Sequence, residues 1–235
     1  MTNLFLGALI CALSVSAAAA ADDVLLPGSQ DLATAHFRNE SIKYHTVRSS
    51  QDSADRDVQQ STETTQLTSY KGSPAILFVQ QSLAGGKTFT DSAMVMRAGL
   101  NPVWENYRYG TAGARIVYDG TRVQRTFLEG DSVLRHVDHT YDVRVFDFQE
   151  LAQVIQSVPL RTGYQAIVPL YSEGDDALEM DTVRVEGRDS AGVWTVRFAD
   201  KVIVEHYGID SRTRAITRVE TQRHTGGPIF RRVLE

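Results

Sequence analysis

The densest run of side chains able to bind a metal or move a proton is His136-Val137-Asp138-His139-Thr140-Tyr141-Asp142. Imidazole and carboxylate are zinc ligands and common acid–base partners. Spacing limits what this run can do. Successive side chains on a strand face opposite sides, so His136, Asp138 and Asp142 share one face while Val137, His139 and Tyr141 take the other. The two histidines then cannot converge on one ion. A hydrolase or metal enzyme built on His136 and Asp138 would need Glu205 or His206 from another strand, and a plain solvated strand accounts for the same residues. A second cluster, Glu173, Asp175, Asp176, Glu179 and Asp181, forms an acidic loop entering a strand. Hard cations take oxygen ligands from such loops, but an EF-hand needs ligands at alternate positions, a glycine sixth and a glutamate twelfth. This loop lacks that pattern and reads as a solubilising turn that blunts a sheet edge. Asn39-Glu40-Ser41 is a glycosylation sequon, meaningful only on a eukaryotic secretory route.

No G-x-S-x-G elbow, H-E-x-x-H, G-x-x-x-x-G-K-[ST] or G-x-G-x-x-G occurs. Acid–base pairs and triads can still assemble in space without sequence adjacency. The expectation is a non-enzymatic protein with no metal site and no cofactor.

Compartment is written at the start of the chain. Residues 1–21 contain no charged side chain and end in the run Ala17–Ala21 before Asp22 and Asp23, which predicts a secretory signal peptide cut after Ala20 or Ala21. The stretch ends in alanine and stops at two aspartates, unlike a membrane anchor. Cys11, the sole cysteine, follows Ala8-Leu9-Ile10 rather than a small residue, so it belongs to the leader. Residues 22–235 can therefore form no disulfide and must be held by their core. They fit one domain. A net charge of −5 argues against non-specific nucleic-acid binding, which needs a basic face. No second apolar stretch could span a bilayer, so the expected protein is periplasmic or secreted and not integral to a membrane after cleavage.

From Ser41 onward short alternating segments are punctuated by turn residues, the pattern of an antiparallel sheet. Strands are predicted near 41–49, 62–70, 75–83, 88–97, 103–109, 114–119, 122–128, 132–140, 164–171, 179–187, 193–199, 202–208, 214–223 and 228–234. Asp119-Gly120 predicts a type I′ hairpin turn, and further turns fall at Asp189-Ser190-Ala191-Gly192 and Asp210-Ser211-Arg212-Thr213. The polar stretch Ser49 to Thr65 is expected as a long exposed hairpin tip or a loop. A short helix is possible around Asp31 to Phe37. One segment carries helical spacing: Phe148, Leu151, Ala152, Ile155 and Val158. Asp147 is its expected N-cap, Glu150 the capping-box partner, Phe146 and Leu151 the staple, and Pro159 the stop.

Two runs, Ile76-Leu77-Phe78-Val79 and Val202-Ile203-Val204, are apolar on both faces, predicting strands covered on both sides. A curved, unclosed antiparallel barrel with the helix on its concave face would satisfy this. It would leave an apolar groove beside Phe148, Leu151 and Ile155, with Phe78, Trp194 and Phe198 as the sheet's candidate lining. A core packed without a groove is the alternative.

The motifs Asp91-Ser92-x-x-Val95-Met96-x-x-x-Leu100-x-Pro102-Val103, Tyr118-Asp119-Gly120-x-x-Val123, Val145-Phe146-Asp147 leading to Pro159-Leu160-x-x-Gly163, and Tyr207-x-Ile209-Asp210-x-x-Thr213 resemble a family of bacterial exported proteins of unknown function. That family is similar in architecture to the lipoprotein carriers LolA and LolB. The resemblance runs from Asp91 to Glu235 and rests on turn and cap residues, so it implies a fold: an unclosed β-barrel with a helix against its concave side. In the Lol carriers this scaffold shields acyl chains, and no functional residue carries over. The sequence thus leaves an envelope binding module for a lipid or acyl chain beside an envelope protein-interaction or assembly factor that offers a sheet edge or the hairpin around Gln51 to Thr65.

Overall fold

The computed structural model describes residues 23–50, 53–172 and 174–235. The expected leader, the Gln51–Asp52 hairpin tip and Glu173 of the acidic loop lie outside the described residues. A short β1 (Asp23–Val24) is followed by β2 (Glu40–Ser50), β3 (Ser53–Tyr70), β4 (Ser73–Ala84), β5 (Lys87–Met96), β6 (Asn101–Tyr109), β7 (Ala112–Asp119), β8 (Arg122–Glu129) and β9 (Ser132–Thr140), and β2 to β9 form one antiparallel meander. A crossing segment then carries β10 (Phe146–Asp147), a 3-10 turn (Phe148–Glu150) and α1 (Leu151–Ser157). A second meander comprises β11 (Gln165–Ser172), β12 (Ala177–Arg188), β13 (Val193–Ala199), β14 (Ile203–Asp210), β15 (Ile216–Arg223) and β16 (Ile229–Leu234). Antiparallel pairing of β16 with β2, from Ile229 opposite Ser49 to Leu234 opposite Tyr44, joins the two into one sheet. β1 and β10 pair parallel with β11, at Asp23–Ala166 and Phe146–Leu170. β9 ends the other side and does not pair with β11, so the sheet is not closed.

The larger of two buried clusters ties its parts together. Leu151, Val154, Ile155 and Val158 of the helical segment pack in the same buried cluster as Ile76, Phe78 and Val95 from the first meander and Val168, Val183, Val196, Phe198 and Ile209 from the second. A helix of two turns can share a core with strands so far apart in the sheet order only if the sheet bends around it. Each such fully buried side chain contributes roughly 1.5–3 kcal/mol of transfer free energy. The described residues form a mainly β, curved and unclosed barrel with a short helix on its concave face.

The helix starts as its residues demand. The Asp147 carboxylate accepts from Gln149 N at 2.8 Å, and Glu150 Oε1 accepts from Asp147 N at 3.0 Å, which completes the capping box. Phe146 and Leu151 are both buried in the core.

Three expectations need correction. Asp119 pairs with Arg122, so the loop between β7 and β8 is Gly120-Thr121 rather than Asp119-Gly120. Only Gly120 has positive φ, 63°, as the glycine-first type II′ turn requires. The outer face is not covered: Ile76 and Phe78 are buried, Leu77 and Val79 half-buried, and Val202 is 47% exposed, because an antiparallel sheet tolerates one wet face. No helix forms at Asp31 to Phe37. The chain there makes turns, and Ala33 N donates instead to Ser157 O at 2.8 Å, satisfying an orphan carbonyl at the end of α1. The polar stretch takes the hairpin form, one of its two expected readings: β3 pairs with β2 from Ser53 and with β4 from Gln59, although few of its residues are apolar.

Candidate functional site

Between α1 and the concave sheet lies a cavity of about 180 Å³. Its apolar part is built by Phe78 of β4, Ala93 of β5, Ile203 of β14 and, across from them, Phe148, Leu151 and Ala152. Polar side chains complete the wall: Glu63, Gln80, Asp91, Glu205, Tyr207 and Arg232 from the sheet, with Gln149 and Gln153 from the helical segment. A smaller cavity of about 50 Å³ shares Glu63, Thr65, Gln153 and Arg232 with the first. A Glu63–Arg232 pair therefore partitions one groove that runs along the helix.

The polar wall is a connected network. Arg232 Nη1 donates to Glu63 Oε1 at 3.1 Å, and its guanidinium stands 5.0 Å from the centre of the Tyr44 ring. Tyr44 Oη donates to Glu63 Oε1 at 2.8 Å and accepts from Gln80 Nε2 at 3.1 Å. Glu205 accepts from Thr221 Oγ1 at 2.7 Å and from Tyr207 Oη. Burial pushes the Tyr44 and Tyr207 hydroxyls well above the ordinary phenol range, with the neighbouring carboxylates adding to the shift. Both therefore act as fixed neutral donors to the acids.

Of the residues singled out by sequence, Phe78, Phe148 and Leu151 line the groove. Ile155 and Phe198 are fully buried in the core behind it, and Trp194 packs half-buried against that core. The groove's polar members carried a signal that sequence reasoning passed over: an acid on the buried phase of an alternating strand. Glu205 shares its phase with buried Tyr207 and Ile209, and Asp91 with buried Ala93 and Val95.

The histidine run does not assemble a centre. His136 Nδ1 contacts Thr126 Oγ1 at 2.9 Å and Asp138 binds Arg122 on the exposed face of β9. His139 faces the other way, stacked on Tyr141 and 3.6 Å from Asp176. His206 sits on β14, between β13 and β15. Among the described residues no group of three His, Cys, Asp or Glu side chains is placed to hold a metal ion.

A second polar cluster lies beneath the opening of the barrel. Asp147 accepts from Tyr118 Oη at 2.7 Å. Glu105, Asp147 and Glu150 are all buried. Burial pushes Asp147 and Glu150 above the usual carboxylate range. Nearby, Arg125 donates to Tyr107 Oη at 2.7 Å, stacks on Phe127 at 4.2 Å and stands 3.7 Å from Asp176, which also takes the Tyr171 hydroxyl. These contacts bridge β8 and β9 to the β11–β12 turn across the unpaired seam. Their burial inside the packed wall makes them a structural clasp, whereas the groove is open space. No helix among the described residues is long and apolar enough to cross a membrane. No family model matches the chain, and no curated protein matches it significantly.

Proposed function

We propose that this protein is a non-enzymatic binding module of the cell envelope that holds the apolar end of a ligand, a lipid or acyl chain, between sheet and helix. The observation that carries the reading is the groove beside Phe78, Phe148 and Leu151. Size refines it. An apolar cavity of about 150 Å³ takes up benzene, so about 180 Å³ admits a ring or a short length of alkyl chain, with the rest of a longer chain outside. The resemblance to exported bacterial proteins of LolA/LolB-like architecture supports the same reading, as does the charge-free segment 1–21, which would deliver the protein to the periplasm or beyond. Expression with that segment intact, followed by fractionation, purification and solvent extraction, should yield a bound amphiphile by mass spectrometry. A purified protein that carries none, and that takes up no neutral apolar dye, would rule the reading out.

One observation favours a second reading, an interaction or assembly factor. β9 ends the sheet with Val133 and Leu134 54% and 65% exposed, and an unpaired edge can accept a partner strand. A photocrosslinker at position 134 should then capture a discrete envelope partner in whole cells. The hairpin version fails if deletion of 51–61 leaves every association unchanged.

A further inference from the structure

The apolar half of the groove says where a chain lies, and the polar half says what that chain carries. This step rests on the groove being a ligand site. Its polar wall brings three carboxylates, Glu63, Asp91 and Glu205, against a single guanidinium, Arg232. Arg232 is already committed, hydrogen-bonded to Glu63 and set over the Tyr44 ring. Glu205 is held differently. Its donors are the neutral hydroxyls of Tyr207 and Thr221, which bring no compensating positive charge. On the helix side the buried Oε1 of Gln153 accepts no hydrogen bond. The wall is therefore rich in acceptors and carries excess negative charge inside a partly enclosed, weakly screened space. An anionic head would meet like charge there, while an ammonium head brings N–H donors and the opposite charge.

We infer that the groove selects amphiphiles with a cationic, N–H-donating head over anionic ones, with Glu205 and Glu63 receiving the head and Phe78, Phe148 and Leu151 the chain.

The test uses the full chain and three probes: decylammonium and decanoate, both below micelle formation and titrated calorimetrically, and the neutral dye Nile red. Decylammonium should bind at least tenfold more tightly than decanoate and displace the dye. Glu205→Gln keeps an acceptor for Tyr207 and Thr221, so it should fold and bind Nile red as before while reducing the preference to threefold or less. Glu186→Gln, on the exposed face of β12, should change nothing, which separates site binding from general attraction to an acidic protein. Decanoate binding as tightly as decylammonium, or an unchanged preference in Glu205→Gln, would overturn the inference and leave the groove standing. Failure of all three probes to bind would remove the groove reading itself.

Discussion

Asp181 lies on the buried phase of β12 with Val183 and Val185, and its Oδ2 is enclosed without a hydrogen-bond partner. Burial pushes its pKa up to about 7, and the Glu179 and Asp200 carboxylates add to the rise. The folded protein therefore holds this proton more tightly than the unfolded chain. Its contribution to stability is highest below pH 4, where both states are protonated, falls as pH rises from about 4 to 7, and is then level. Asp181→Asn should remove that loss. Thermal unfolding should show a gain of roughly 2–4 kcal/mol at pH 8 and almost none at pH 4. His36 works in the opposite sense. Burial and the nearby Arg214 lower its pKa to about 4, so its contribution is complete above pH 6.5 and lost as pH falls toward 4. At this scale sequence is a partial guide. The composition of β12 reveals an acid in phase with valines, but only the fold shows that Glu179 and Asp200 stand nearby.

Among the elements, the helix entry is where local chemistry and tertiary structure meet. Asp147 is both N-cap and the acceptor for buried Tyr118. Its replacement by alanine should cost about 2–4 kcal/mol in chemical denaturation, combining a lost cap with a buried hydroxyl left without its acceptor. The turn before β6 depends on a different constraint. Gly99 has φ of 68° and accepts at its carbonyl from Gly28 N at 2.7 Å, and a Cβ there would lie 2.4 Å from Gly28 Cα. Gly99→Ala should cost at least about 2 kcal/mol through backbone strain and displacement of the N-terminal segment. Gly120→Ala, where a Cβ meets open space, should cost only about 1 kcal/mol. The capping box and the Asp189–Gly192 and Asp210–Thr213 turns were legible because aspartate and glycine act within a few residues. Asp210 accepts from Arg212 N, Thr213 N and Thr213 Oγ1, an arrangement complete within four positions. The first half of β3 was not legible. Ser53 to Ser61 has little apolar alternation, and its strand state comes from pairing with β2, joined by β4 only from Gln59 onward.

Across the whole molecule, the missing ladder between β9 and β11 is replaced by side chains. Arg125 is the centre of that clasp, 4% exposed at its side chain and set between Tyr107, Phe127 and Asp176. Removing one member of a buried ion pair costs about 3–5 kcal/mol. Arg125→Ala should therefore destabilise the protein by that order. It should also speed amide exchange in β9 and the β11–β12 turn ahead of global unfolding. Equal exchange in all strands would show that the seam is not a separate unit. The antiparallel order followed from period-two alternation and turns, whereas curvature was inferred from strands apolar on both faces, whose outer side is in fact only half-buried. The groove's acidic character did not, because Glu63, Asp91, Glu205 and Arg232 come from four strands whose convergence only the curved sheet creates.

Tyr44 and Leu234 sit opposite each other at the junction of β2 and β16, although nearly the full length of the chain separates them. Contacts so remote in sequence are slow to form because the entropy of closing the intervening loop comes first. Each meander can grow from neighbouring hairpins, but this join has to wait for both. Since the groove takes one wall from β3 to β5 and the other from β14 and β16, it comes into being only at that last step. Whatever occupies it would act as a rivet between two independently grown halves, slowing their separation.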